Sequence, residues 1–211
     1  MSVEARKIRS EINDTMAEEN PELLIAQDEY LKSGIHIGTK FKTTYMEPFI
    51  YKTRPDGLSV LNLQMIDERM RLMINLVQQY NPEDIIVVSR RENSWKAVKA
   101  FGRATGIRIF PGRYPPGILT NSQLKTFIEA RLMIVTDAWP DRNAVLDALQ
   151  VGIPVIALCD TNNTANTVDF VMPCNNKGKK SLGILFFLLA KYYLEKRGQS
   201  LDMPMDDFME E

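Results

Sequence analysis

Polar side chains that could do chemistry follow the apolar runs expected to form strands. Asp137 ends the apolar run at residues 132–136, and Asp160-Thr161-Asn162 follows the run at residues 154–159. In an open α/β sheet the carboxyl ends of the strands are where ligands bind. The two carboxylates could hold a magnesium ion between them. They could instead brace their own loops, because short polar side chains accept hydrogen bonds from free backbone amides.

Positively charged residues near these predicted strand ends suit contact with phosphate. Arg90-Arg91 follows one apolar run, and Lys177-Gly178-Lys179-Lys180 forms a basic loop after another. Arginine can bind a phosphate in bidentate fashion, whereas lysine acts as a point charge. Residues 35–44 add Lys40 and Lys42 among aromatic and hydroxyl side chains, a mixture that suits an RNA backbone and its exposed bases. Charge runs alone are usually solvated surface, so this hypothesis needs support from other features.

The sequence lacks the motifs of the common enzymes that use such a sheet. It contains no glycine-rich dinucleotide fingerprint, no P-loop, no GxSxG nucleophile elbow and no Cys–His pair. The single histidine, His36, has no visible catalytic partner, which favours a structural or hydrogen-bonding role. Cys159 and Cys174 lie in or beside apolar runs without metal-ligand spacing, and we predict that they are reduced, buried thiols. We therefore expect no catalysis, no metal and no cofactor.

Charge is distributed unevenly along the chain. Residues 1–30 carry eight acidic and three basic side chains, and residues 201–211 carry five acidic and none basic. Residues 31–200 hold 23 basic and 14 acidic side chains, a net charge of +9 that the overall value of −1 conceals. A basic body is typical of proteins that bind a polyanion. An ordinary solvated surface is the alternative that charge alone leaves open.

Strands and helices that could position these residues alternate along the chain. Branched apolar runs predict strands at residues 85–88, 107–110, 132–137 and 154–159, and a second short apolar run follows at residues 168–173. Helical periodicity predicts helices at residues 23–31, 65–80, 95–104 and 179–197, a short helix from 121 or 122 to 128, and a helix at 142–151 capped by Asp141. A Pro-Asp-Gly turn at residues 55–57 predicts a hairpin. The alternation indicates βαβ units around a parallel sheet.

We predict one domain between two acidic tails. The tails are residues 1–20 and 199–211, and the domain is residues 21–198. The most apolar segment, residues 182–194, is shorter than the roughly 20 residues of a membrane span. The charged start of the chain lacks the apolar core of a signal peptide. We therefore expect a cytoplasmic protein without a membrane partner.

Eight short motifs occur in a recognisable order along the chain. They are Gly34-Ile35-His36-Ile37-Gly38-Thr39, Pro48-Phe49-Ile50-Tyr51-Lys52, Asp56-Gly57-Leu58, Gly117-Ile118-Leu119-Thr120-Asn121, Asp137 with Asp141-Arg142, Gly152-Ile153-Pro154, Leu158-Cys159-Asp160-Thr161-Asn162 and Asn175-Asn176-Lys177-Gly178-Lys179. Together they resemble the universal small-subunit ribosomal protein two family over roughly residues 25–198. The resemblance is to the archaeal–eukaryotic branch, which includes ribosomal protein SA, the laminin-receptor precursor. An inserted helical hairpin and a long C-terminal extension are both missing, which favours the archaeal form.

The resemblance implies a fold and a function. The implied fold is a flavodoxin-like three-layer αβα sandwich with a mainly parallel sheet and no coiled-coil insertion. The implied function is that of a structural constituent of the small ribosomal subunit, which binds ribosomal RNA and neighbouring ribosomal proteins between head and body and is needed for subunit assembly and translation. No small-molecule substrate is expected under this hypothesis. The alternative is a cytosolic magnesium-dependent enzyme that acts on a phosphorylated small molecule at Asp137, Asp160 and Arg113.

The residues expected to contact RNA combine lysines, arginines and nearby polar or aromatic side chains. They are His36, Thr39, Lys40, Lys42, Lys52, Arg90, Arg91, Arg113, Tyr114, Asn121, Asn176, Lys177, Lys179 and Lys180.

Overall fold

The computed structural model describes residues 23–209 of the chain. Its helices are α1 (Gln27–Ser33), α2 (Leu63–Val77), α3 (Trp95–Thr105), α4 (Arg142–Val151) and α5 (Lys179–Glu195). Its strands are β1 (Ile50–Thr53), β2 (Ser59–Leu61), β3 (Ile85–Ser89), β4 (Arg108–Pro111), β5 (Leu132–Val135), β6 (Val155–Cys159) and β7 (Phe170–Pro173). Short 3₁₀ helices occupy Glu47–Phe49, Pro82–Asp84, Glu92–Ser94 and Met205–Asp207.

A five-stranded parallel sheet forms the centre of the fold, in the order β4-β3-β5-β6-β7. This is the flavodoxin-like order, in which the chain winds first to one side of its first strand and then to the other. Strands β3, β5 and β6 are buried along their whole length, as expected when helices cover both faces of a sheet. The predicted α/β sandwich with a mainly parallel sheet is confirmed.

Helices cover the sheet in two layers. Helices α3 and α5 pack together on one face, where the rings of Phe101 and Phe186 lie 5.4 Å apart. Right-handed crossovers place α4 and the segment between β4 and β5 on the other face. There, Asp147 on α4 accepts hydrogen bonds from the Tyr114 hydroxyl and the Gly117 amide. The two layers enclose one hydrophobic core.

The predicted hairpin is confirmed as an antiparallel pair of strands, β1 and β2. Gly57 adopts a φ of 86° in the connecting turn, which glycine accepts without a Cβ clash. An isolated bridge from Ile37 to Val60 places the preceding segment alongside β2. The hairpin therefore fixes the course of residues 36–43, which carry several predicted site residues.

Most predicted helices are present, with ends shifted by a few residues. Helix α4 has the predicted bounds, and Gly152 ends it with a φ of 79°. The prediction that the Asp141 side chain caps α4 is wrong, because no side-chain capping bond forms there. Its carboxylate instead accepts a hydrogen bond from the Arg90 backbone amide at 3.2 Å.

The short helix predicted from residue 121 or 122 to 128 is not present. The chain forms successive turns there, with hydrogen bonds from Leu124 N to Asn121 O and from Phe127 N to Leu124 O. The Asn121 side chain accepts from the Gln123 amide, which stabilises a turn. Residues 121–126 are all exposed. A helix is costly to nucleate, and this segment has no apolar face to bury in return.

Helix α5 is apolar nearly all round, a pattern that predicts burial of more than one face. Inside the protein the helix is covered by α3 and by residues 201–209. Phe208 is 1% exposed and lies edge-on to the Phe187 ring, with centroids 5.6 Å apart. Gly183 makes this packing possible, because a Cβ there would lie 2.9 Å from the Phe208 carbonyl oxygen.

The described part of the acidic C-terminal segment is thus packed against the domain. The predicted boundary at residue 198 stays a prediction, and the predicted tail at residues 1–20 lies outside the described residues. Within residues 23–209, no helix is both long enough and apolar enough to cross a bilayer.

Candidate nucleic-acid interface

Asp137, directly after β5, connects three segments at the carboxyl edge of the sheet. Its carboxylate is 2% exposed and forms an ion pair with Arg91, whose Nε lies 2.8 Å from Oδ2. Its other oxygen accepts hydrogen bonds from Asn163 Nδ2 at 2.8 Å and from the Trp139 amide at 3.1 Å. These bonds satisfy a carboxylate that would be costly to bury alone.

Asp160, directly after β6, has a similar arrangement with a lysine. Its Oδ1 accepts a hydrogen bond from the Thr161 amide at 2.6 Å. Its Oδ2 lies 2.5 Å from Lys177 Nζ, which also donates to Asn162 Oδ1 at 2.9 Å. The ion pair joins the loop after β6 to the loop after β7.

Two buried amides fill the space between these loops. Asn163 Oδ1 accepts from the Asp160 amide at 2.9 Å and from Asn176 Nδ2 at 3.1 Å. The fully buried Asn176 also donates to the Leu158 carbonyl at 2.9 Å. The carboxyl edge is therefore cross-linked by the chain's own side chains at the place where enzymes of this fold bind ligands.

Asn175 shapes the basic loop that leads into α5. Its Oδ1 accepts hydrogen bonds from the Lys177 amide at 3.1 Å and from the Gly178 amide at 3.0 Å. Its Nδ2 donates to the Gly34 carbonyl at 3.2 Å. This side-chain turn holds the loop and the end of α1 together.

Thr161 attaches the segment that carries Lys40 and Lys42. Its Oγ1 accepts from the Thr39 amide at 3.0 Å and donates to the Phe41 carbonyl at 2.9 Å. Both lysine side chains remain exposed. The interior contacts of Thr161 therefore hold a positively charged segment at the surface.

The geometry favours the bracing hypothesis over the magnesium hypothesis. Asp137 and Asp160 each have a cation already in contact, Arg91 and Lys177 respectively. Among residues 23–209, no group of three or more potential metal ligands comes together. The two carboxylates act as braces for the loops of the edge.

Burial shifts the pKa of several groups near this edge. It lowers the pKa of His36 from its usual value of 6.5, which favours the neutral form of the imidazole. It raises the pKa of the Cys159 thiol to about 12 and that of Cys174 well above its usual value. The prediction of buried thiols is confirmed, because both cysteines are free and buried.

The pKa of Asp141 is raised from 3.8 to about 6, mainly by burial and further by the nearby charge of Asp137. The folded protein favours the protonated form of the Asp141 carboxyl. The free energy of unfolding therefore falls as the pH rises from about 4 through 6, where the carboxyl ionises more readily in the unfolded chain. We expect Asp141→Asn, whose oxygen can still accept from Arg90, to be more stable than the wild type by about 2 kcal/mol at pH 7.5. The difference should shrink towards zero near pH 4.

Urea unfolding of both proteins across this pH range measures the effect. Asp28→Asn is the matched control, because it makes the same change at an exposed position on α1. A destabilised Asp141→Asn protein at pH 7.5 would contradict the expected sign.

The structure separates the predicted RNA-contacting residues into three groups. The exposed ones are Lys40, Lys42, Lys52, Arg90, Arg113, Asn121 and Lys180. The half-buried ones are His36, Thr39, Arg91, Lys177 and Lys179. The buried ones are Tyr114 and Asn176. RNA contact stays a prediction for all of them, and the internal bonds of the buried pair give those two side chains a structural task.

Several of these residues come together at the carboxyl edge of the sheet. Arg91 and Lys177 join the braces there, and Asn93 donates to the Lys177 carbonyl at 2.7 Å. The loop of Arg113 meets the same edge, since the preceding Gly112 amide donates to the Ser89 carbonyl. Lys40 and Lys42 lie beside this edge, because Thr161 holds the segment that carries them.

The sequence interpretation missed a row of cations on α3. Lys96, Lys99 and Arg103 are exposed and follow the i, i+3, i+7 spacing of one helical face. They line a depression together with Lys179. The helical spacing could have revealed the row, but the interpretation considered charge mainly at strand ends.

A comparison with known protein families decides the assignment. The family model described as "Ribosomal protein S2" matches residues 30–130 and 125–195 of the chain. The chain belongs to the ribosomal protein S2 family.

Archaeal proteins are similar to this chain over most of its length. The Nanoarchaeum equitans protein is 44% identical over 190 residues, covering 88% of this chain and 94% of the relative. The Ignicoccus hospitalis protein is 45% identical over 187 residues, covering 88% of each. The Methanococcus maripaludis C6 protein is 43% identical over 198 residues, covering 92% and 89%. All three are named "Small ribosomal subunit protein uS2", which confirms the resemblance to the archaeal form.

Proposed function

We propose that the chain is a structural constituent of the small ribosomal subunit and not an enzyme. The similarity to proteins named for that subunit, over most of both chains, carries this conclusion. The filled carboxyl edge supports it, because the site that an enzyme of this fold would use holds internal ion pairs. The magnesium-dependent alternative has no specific observation in its favour.

The chain contacts ribosomal RNA through exposed cations beside the braced edge. Lys40, Lys42 and Lys52 are exposed on the hairpin region, and none of them has an ion-pair partner among residues 23–209. Lysines of this kind can neutralise phosphates without breaking an internal ion pair. The buried braces keep the loops in place, so that binding requires little ordering of the protein.

The chain also contacts neighbouring proteins of the small ribosomal subunit. The chain lies between head and body of the subunit in the cytoplasm, where it supports assembly and translation. The acidic ends of the chain suit basic neighbours by charge complementarity.

Replacing Lys40, Lys42 and Lys52 together by glutamine tests the proposed RNA contact. We expect affinity for small-subunit RNA to fall about 100- to 1,000-fold at 0.1 M salt, since each neutralised phosphate contributes roughly 0.7–0.9 to the slope of log K against log salt. The slope itself should decrease by about 2–3. Binding titrations of the purified protein over a series of salt concentrations measure both quantities.

The matched control is the triple variant Lys32→Gln, Lys125→Gln, Lys196→Gln, which removes the same charge from exposed positions elsewhere. It should bind RNA nearly as well as the wild type. Sedimentation of the native protein provides the broader check. A protein that never travels with the small subunit would refute the proposed function.

A further inference from the structure

Two open depressions adjoin along α3 and the edge strand β4. The first, of about 480 Å³, is lined by Lys96, Lys99, Arg103 and Lys179 among others. The second, of about 660 Å³, shares Lys99 and Arg103 and adds Arg108. Because they share lining residues, the two depressions form one continuous surface.

This surface runs down the side of the sheet. Helix α3 follows β3 and runs antiparallel to it, so it begins at the carboxyl edge and ends at the amino edge. Lys179, the first residue of α5, lies at the end near the carboxyl edge of the sheet. Arg108, the first residue of β4, lies at the end near the amino edge. Lys96 and Arg103 alone are separated by about 10 Å along the helix axis. We call Lys179, Lys99, Arg103 and Arg108 the α3 stripe.

Apolar side chains line the two depressions beside the cations. Trp95 lies below Lys99, whose Nζ is 6.0 Å from the ring centroid. Gly102 and Ile109 help to line the second depression. A Cβ at Gly102 would come within 2.8 Å of Ile109, so the glycine permits this close contact between α3 and β4.

Cations outnumber carboxylates among the residues that line the two depressions. Glu92 is the one carboxylate among the lining residues of the two described depressions. Lys96 is engaged with the C-terminal segment, since its Nζ donates to the Asp206 and Met209 carbonyls. Charge on an edge strand also discourages pairing between sheets. That explanation covers Arg108 but not the cations on α3.

We propose that the α3 stripe is a second RNA-contacting surface, which binds the phosphate backbone of ribosomal RNA. The surface is too long for a single small anion, and its spaced cations suit successive phosphates of one strand. It continues from Lys179 at the carboxyl edge, where RNA contact is already proposed. The inference rests on the proposed function and adds a surface on another side of the molecule.

The variant Lys99→Gln, Arg103→Gln, Arg108→Gln tests this surface. Glutamine is a good helix former, so α3 should remain folded. We expect affinity for small-subunit RNA to fall about 100- to 1,000-fold at 0.1 M salt, with a salt slope smaller by about 2–3. The Lys32, Lys125 and Lys196 glutamine variant serves again as the charge-matched control, and circular dichroism with urea unfolding checks that each variant is folded.

The possible outcomes separate this inference from the proposed function. If the wild type binds RNA weakly and without salt dependence, the proposed RNA contact fails as a whole. If the Lys40, Lys42 and Lys52 variant loses affinity while the stripe variant behaves like the control, only the α3 stripe is refuted. If the stripe variant binds RNA normally but no longer sediments with the subunit, the inference is overturned in favour of an acidic protein neighbour.

Discussion

Replacement of Asp137 by alanine is expected to destabilise the protein by about 3 kcal/mol, one of the two largest effects that the structure predicts. The change removes the ion-pair partner of Arg91 and the acceptor for Asn163 and Trp139. The buried amide of Asn163 then loses a hydrogen bond that water cannot easily replace. Arg91 is about one-third exposed and can recover some solvation, which keeps the expected cost at the lower end for a broken buried pair.

Urea unfolding at pH 7 measures this cost. Asp56→Ala is the matched control, because Asp56 pairs with Arg54 at 3.4 Å but both side chains are about half exposed. That control should change the free energy of unfolding by less than about 1 kcal/mol. Equal effects of the two substitutions would show that the Asp137 contacts do not brace the edge.

Phe208→Ala is expected to detach the C-terminal segment from α5. Truncating a buried phenylalanine typically costs about 3–5 kcal/mol. The ring packs against Phe187 above Gly183, and Phe208 is the most deeply buried apolar side chain of the segment, whose other apolar side chains are only partly buried. Because the segment lies beyond α5, the loss should appear as local opening, with a smaller change in global unfolding.

Amide hydrogen exchange detects such opening directly. The Phe208 and Met209 amides donate to the Met205 and Asp206 carbonyls, so both should be protected in the wild type and exchange faster in the variant. Phe41→Ala is a suitable control, since Phe41 is 79% exposed. Unchanged exchange at residues 205–209 would contradict the anchoring role of Phe208.

Local patterns were sufficient to predict the elements of the sheet. The branched apolar runs predicted four of the five parallel strands within one or two residues, and the fifth strand, β7, lies in the short apolar run at residues 168–173. The glycines after α3 and α4 marked the ends of those helices. The strand order depends on long-range packing, and it followed from the family resemblance and not from periodicity. Residues 121–128 were misjudged because their spacing resembles a helix although residues 121–126 are exposed and bury no apolar face.

The candidate site was only partly predictable, for a physical reason. The bracing role of Asp137 followed from its position after a strand. Its partners did not, because Asn163 and Arg91 are 26 and 46 positions away in sequence. Asn176 and Tyr114 were expected at an RNA surface, yet both are buried with internal hydrogen bonds. A polar side chain reveals its burial only when its remote partners are known.

The two buried cysteines allow the opening of the central sheet to be measured by thiol labelling. Cys159 ends β6, Cys174 directly follows β7, and the Cys174 amide donates to the Cys159 carbonyl at 2.9 Å. Both thiols are inaccessible and strongly disfavour the reactive thiolate. A thiol reagent can therefore label them only in molecules whose central sheet has separated. Labelling rates, with and without bound RNA, thus measure how far assembly into a complex suppresses that separation without any added probe.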